Sequence, residues 1–438
     1  MNPVFFDIFD GNLLDNNITN GTGLDDNIVL DNGNDSSNGG AGNDLIYGNG
    51  GNDTLVGGAG VDTLNGGDGN DVITSDGDGG TYRGDAGNDT LFSGIGTEAM
   101  DGGAGTDTID HTAWGGNYVF NMATGLTDFA GESYINFENA NMGAGNDSVT
   151  GNASANLING GAGNDTLVGG AGIDTLNGGD GNDVITSDGD GGTYRGDAGN
   201  DTLFSGIGNE AMDGGAGTDT IDHTAWGGNY VFNMATGLTN FAGESFINFE
   251  NANMGAGNDS VTGNASANLI NGGAGNDTIN GDAGNDTLEG GLGQDTLTGG
   301  TGNDFFKLTE VSLITLPSPP LPLNPQSRDL IIDFSVPADT IILANSLDST
   351  LTGAISPGIK GLSFVGGNLP GNILNAAQFF KGPGLDGRPL GNASGIYVNT
   401  SDGNIWYNDF TSAGSYLIAN VGAGTAAGMT NADFVYGV

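Results

Sequence analysis

From residue 39 a nine-residue unit, first met as Gly39-Gly-Ala-Gly-Asn-Asp44-Leu-Ile46-Tyr47, repeats without slipping to residue 110. It resumes over 142–222 and again over 254–307, and two looser units precede it. The frame holds 25 units, and 19 carry Asp at the sixth place: Asp26, Asp35, Asp44, Asp53, Asp62, Asp71, Asp89, Asp107, Asp147, Asp165, Asp174, Asp183, Asp201, Asp219, Asp259, Asp277, Asp286, Asp295 and Asp304. Six turn-forming residues are followed by three that alternate polar, apolar, polar. Glycine supplies the left-handed angles of the turn, and the alternation sends the eighth side chain (Ile46, Leu55, Leu64, Ile73) inward. One unit therefore makes half a coil, and stacked coils bury a thin apolar column between two short parallel sheets. Turns on one side lie one strand spacing apart, about 4.8 Å.

That spacing sets carboxylate against carboxylate. Pairing sixth places 18 residues apart yields thirteen Asp–Asp pairs: six in the first run, four in the second and three in the third. Facing carboxylates repel unless a cation lies between them, and oxygen ligands of this kind select Ca²⁺ over softer metals and over Mg²⁺. The chain is similar to the RTX (hemolysin-type calcium-binding) repeat, whose consensus GGxGxDxUx these units follow. The resemblance implies an all-β fold, a right-handed parallel β-roll or β-solenoid. It also implies Ca²⁺ held between adjacent turns by the sixth-place Asp residues.

Residues 51–162 and 163–274 align without gaps and differ only at Val61/Ile173, Thr97/Asn209, Asp128/Asn240 and Tyr134/Phe246, which reads as an internal duplication. The expected organisation is an N-terminal cap with degenerate repeats over 1–38 and rolls over 39–110, 142–222 and 254–307. Aromatic interruptions fall at 111–141 and 223–253, and a capping and secretion-signal region at 308–438. Gly80 and Glu98 erode one edge of the first roll, and Asn156, Gly192 and Glu210 erode an edge of the second; the opposite edge is read as a continuous calcium column. The eroded edge, with Tyr82/Arg83 and Tyr194/Arg195, is either drift or a partner contact. The interruptions bring Trp114, Tyr118, Phe120, Phe129, Tyr134 and Phe137, with strands expected over 117–122 and 135–138. They are read as extra coils covering the roll, with a carbohydrate-binding face as the alternative.

Beyond 305 the composition changes. The first 304 residues carry 45 acids against Arg83 and Arg195, whereas the remainder carries 9 acids and 5 bases. A proline-rich linker spans 316–325, and apolar alternation predicts capping strands over 329–334, 339–343, 395–399, 404–408 and 416–420. The tail from Asn431 to Val438 is similar to the C-terminal signal of type I secretion substrates, which implies an extracellular or cell-surface location.

Other functions lack their residues. With 7 Lys and Arg against 54 acids, the −47 chain has no basic groove for nucleic acid. It has no cysteine and no apolar run long enough to span a membrane. The opening residues 1–7 lack the layout of a cleaved export signal. HExxH and GxSxG motifs are missing, and His111 and His223 are copies of one residue, so no enzyme is expected. A polysaccharide-modifying activity through Asp128, Glu132 or Glu138 is the weakest alternative. The expected function is a secreted calcium-binding structural protein that folds on Ca²⁺ binding after export and assembles into fibres or a surface layer. An adhesin or glycan binder, with cell-surface polysaccharide as partner, is the alternative.

Overall fold

A computed structural model describes residues 6–9, 18–76, 78–94, 96–206, 208–309, 329–344, 359, 362, 364–365, 369–382, 385, 394–408 and 415–437. The proline-rich linker expected over 316–325 lies outside them. The chain divides into two compact units, Met1–Asp219 and Thr220–Val438. Both are all-β solenoids, and among the described residues helix is confined to Ala423–Ala426 and two short 3-10 turns.

In the first unit one parallel sheet stacks Phe6–Phe9, Asp26–Val29, Leu45–Gly50, Asp62–Asp68, Gly80–Ala86, Glu98–Ala104 and Ser133–Ile135 in that order. A second stacks Ile18–Asn20, Ser36–Ala41, Thr54–Ala59, Val72–Thr74, Thr90–Phe92 and Thr108–Asp110, then Asn139–Asn141, Leu157–Ala162, Asp174–Asp180, Gly192–Ala198 and Glu210–Asp213. Successive strands alternate between the sheets, so each 18-residue coil adds one strand to each. The register aligns eighth places: Ile46 with Leu64, Leu64 with Tyr82, Tyr82 with Met100. These side chains are at most 1% exposed, which makes them the core. With only one large apolar side chain per half-coil, truncating Leu64 to Ala removes a whole layer, at a cost of about 2–5 kcal/mol.

The first interruption is woven into this stack. Tyr134 continues the column below Met100, and Ala140 continues the other below Ile109. Its strand Val119–Asn121 opens a third sheet, to which Ser148–Thr150, Thr166–Val168, Val184–Thr186 and Thr202–Phe204 add in turn. The strand expected over 135–138 is corrected: one strand ends at Ile135 and the next begins at Asn139. Asn136, at φ 58°, turns the chain between the two sheets, so an extended run cannot pass through it.

The second unit repeats the plan. Thr220–Asp222, Asn251–Asn253, Leu269–Asn271, Thr287–Glu289, Phe305–Leu308, Thr340–Ala344 and Phe434–Gly437 form one parallel series. A second runs from Val231–Asn233 through Ser260–Thr262, Thr278–Asn280 and Thr296–Thr298 to Asp329–Ile331, and then Ser415–Asn420. The capping segments thus extend the sheets rather than plug them. Strands expected over 329–334 and 339–343 are found as Asp329–Ile331 and Thr340–Ala344. Antiparallel Asn404–Asn408 and Gly395–Asn399 pack Trp406, Tyr397 and Leu417 into a separate buried cluster. The tail read as a secretion signal contributes Phe434–Gly437 to the sheet, after a 3-10 turn capped by Thr430 and Asp433.

Candidate metal centre

Each sixth-place Asp lies at the end of a turn, at or just before the first residue of its strand, and stacking sets most of them beside the Asp of the next coil. All thirteen pairs spaced by 18 residues meet in the same way. The N–H of the earlier Asp donates to Oδ1 of the later one at 2.7–3.0 Å, from Asp26 with Asp44 through Asp286 with Asp304. One carboxylate oxygen of the later Asp is thereby used by the backbone. Oδ2 of Asp44, Asp53, Asp62, Asp71, Asp89, Asp107, Asp165, Asp174, Asp183, Asp201, Asp277, Asp286 and Asp295 is buried with no hydrogen-bond partner. An unmatched buried carboxylate oxygen costs several kcal/mol unless something positive reaches it.

The surroundings raise that cost. Burial first, then the charge of the stacked carboxylate, pushes Asp53, Asp62, Asp71, Asp89, Asp107 and Asp147 up to about 6 and Asp183 up to about 7. In the second unit Asp277 is pushed up to about 7 and Asp286 to about 6 for the same reasons.

Glycine at the first place keeps the spot open. A Cβ on Gly48 would strike Asp53 Oδ2 and the Gly66 carbonyl oxygen, and one on Gly84 would strike Asp89 Oδ2 and the Gly102 carbonyl oxygen. Carboxylate and main-chain oxygens therefore converge beside each such glycine. Among the described residues no three His, Cys, Asp or Glu side chains cluster, so a cation here would draw on a carboxylate pair plus main-chain carbonyls. All-oxygen donors with a flexible main-chain contribution fit Ca²⁺.

Where the sixth place is not Asp, the chain supplies its own closure. Asn156 accepts from the Asn152 N–H at 2.9 Å and donates to the Glu138 carbonyl at 2.8 Å, and Asn268 repeats this with Asn264 and Glu250. An amide carries the donor that a carboxylate lacks. Asp174, between Asn156 and Gly192 in register, therefore has no Asp 18 residues away on either side. Glu98 is fully buried and accepts from Ser75 Oγ, from the Gly94 N–H at 3.1 Å and from the Tyr134 hydroxyl at 3.3 Å; burial pushes its carboxyl up.

Two expectations about the edges change. The eroded edges of the first and second rolls are not one seam, because Gly80 and Glu98 belong to the first sheet while Asn156, Gly192 and Glu210 continue the second, below Asp107. Tyr82 and Tyr194 are no surface contact: both are 0% exposed and donate to the Gly79 and Gly191 carbonyls at 3.0 Å.

The frame also stops short of acids that the fold brings into line. The Asp295 N–H reaches Asp329 Oδ1 at 3.4 Å, and the Asp304 N–H reaches Asp339 Oδ1 at 3.0 Å. Their signal was an acid two residues before an inward apolar residue, Ile331 or Ile341, without the glycine turn.

The profile described as RTX calcium-binding nonapeptide repeat (4 copies) matches this sequence in nine overlapping stretches that span 20–109, 143–221 and 255–306, half of the chain. The chain belongs to the RTX calcium-binding nonapeptide repeat family. The RTX matches stop on either side of the two aromatic interruptions and before the cap. No curated protein matches the sequence.

Proposed function

We propose that this RTX protein is a secreted structural protein of the bacterial surface or extracellular matrix whose β-roll forms when Ca²⁺ enters the Asp ladder after export. One observation carries the reading: stacked carboxylates such as those of Asp71 and Asp89 spend one oxygen on the backbone and hold the other buried and unmatched. At low calcium these groups repel and desolvate unfavourably, which keeps the chain unfolded and fit for export. At roughly millimolar calcium, metal binding supplies the folding free energy. The test is far-UV circular dichroism with analytical ultracentrifugation during a calcium titration. Compact β-structure that appears with calcium is expected; the same structure in excess chelator sinks the proposal.

No catalytic role is part of this reading. Ser93 Oγ lies 2.6 Å from His111 Nδ1, but both are buried, and burial lowers the imidazole to about 4. They make an interior hydrogen bond. Four of the interruption's six aromatic rings pack inward, since Tyr118, Phe120, Tyr134 and Phe137 are buried while Trp114 is half-buried and Phe129 is 40% exposed; that majority supports a covering role over a glycan-binding face. The cavity among Gly94, His111, Trp114, Tyr118, Phe129 and Glu132 holds about 20 Å³, room for about one water and far below the roughly 300–1,000 Å³ of ordinary ligand pockets. Assembly into fibres or a surface layer completes the reading. Electron microscopy of calcium-loaded protein is expected to show ordered assemblies, and strictly monomeric particles at all concentrations count against that part.

A further inference from the structure

The first interruption departs from the nine-residue frame for 31 residues, and no family match covers 111–141. Even so, it rebuilds the contacts of a repeat turn at one point. The Asp107 N–H donates to Glu138 Oε2 at 3.0 Å, as the Asp89 N–H donates to Asp107 Oδ1 at 2.8 Å. Thr108–Asp110 and Asn139–Asn141 pair in parallel, and the Asn139 N–H donates to the Asp107 carbonyl at 2.8 Å. Glu138 thus occupies the sixth place of the next coil, two residues before the inward Ala140.

The main-chain part is reproduced too. A Cβ on Gly102 would strike the Asn136 carbonyl oxygen and Asp107 Oδ2, where the equivalent position on Gly84 meets the Gly102 carbonyl and Asp89 Oδ2. Asn136, at φ 58°, takes the left-handed angle that aims this carbonyl. Asp107 itself is 0% exposed, and its Oδ2 has no hydrogen-bond partner. A buried, unmatched carboxylate oxygen, a converging carbonyl and a second carboxylate one strand away are the features found inside the repeats.

We infer that Asp107 and Glu138 hold a calcium ion, which makes the interruption a cation-closed coil rather than a break in the column. The inference rests on calcium binding by the repeats, and it extends the column Asp35, Asp53, Asp71, Asp89 and Asp107 by one acid that no nonapeptide contributes. It assigns Glu138 a binding role in place of an acid–base one. It also makes docking of the interruption depend on calcium.

Native mass spectrometry of the full chain at saturating calcium counts the ions. E138Q keeps an oxygen for the Asp107 N–H and is expected to hold one ion fewer than the parent. D53N, inside the repeats and shared by two pairs, is the reference and is expected to lose two. A full count in E138Q beside a reduced count in D53N overturns the inference while leaving calcium binding by the repeats intact. Full counts in both defeat that underlying reading instead. If E138Q does not fold, crystals of the parent grown with terbium decide: an anomalous peak between Asp107 and Glu138 is expected, and a column of peaks that ends above Asp107 overturns the inference.

Discussion

A sixth-place aspartate serves two coils at once, because its carboxylate faces the coil before and its N–H the coil after. Asp183 stands between Asp165 and Asp201, whereas Asp147 has an Asp partner on one side and the Tyr118 N–H on the other. Asp183→Ala is therefore expected to remove two calcium ions and Asp147→Ala one, counted by isothermal titration calorimetry; equal losses would show that the sites are not shared between coils. Glycine at the first place is equally committed. Gly48→Ala puts a methyl group against Asp53 Oδ2 and the Gly66 carbonyl, at an expected cost of about 1–3 kcal/mol in saturating calcium. Thermal unfolding checks it, and an unchanged midpoint would mean that the turn gives way easily.

At the scale of an element, the interruption is a wedge of rings around one histidine. His111 packs on Tyr118 at 4.3 Å and Tyr134 at 5.3 Å between ring centroids and bonds to Ser93. Burial lowers it to about 4, against about 6.5 in the unfolded chain. A depressed value means that the unfolded state takes the proton first. The contribution is complete above about pH 6.5 and is lost as pH falls toward 4, reaching order 3 kcal/mol. In calcium-saturated protein, the His111 ring signals in NMR are expected to stay those of the neutral form down to about pH 4, and titration near 6.5 would refute the buried assignment. The same element shows where a local reading fails. Alternation located Val119–Asn121, but the apolar residues around Phe137 were assigned to a strand that Asn136 interrupts. A single left-handed residue outside a glycine leaves little trace in composition.

For the molecule as a whole, the formal charge of −47 describes a chain without its ions, and thirteen divalent cations would bring it to about −21. In a solenoid each coil contacts only its neighbours, so modules can be added or removed in whole units. Deleting 163–274 joins Ala162 to Gly275 in the context of the original repeat. The shortened chain is expected to fold at the same calcium midpoint with about a quarter less β-signal; failure to fold would show that the duplicated blocks are not interchangeable.

The unit, its two-coil pairing and the inward column were legible in the residues, since all three are local and the same short pattern recurs 25 times. So was the pairing of aspartate with aspartate, because the partner lies a constant 18 positions away. The continuation of each column across an interruption was decided only by tertiary structure. Over 31 residues the constant spacing is lost, and the register depends on which strands pair. Asn139–Asn141 joins Thr108–Asp110, so the Asp107 column passes to Glu138 and then Asn156, while Val119–Asn121 founds a new sheet on which the Asp147 ladder starts. Pairing of that kind is settled by packing between residues far apart in the chain, which no spacing rule within a repeat can encode.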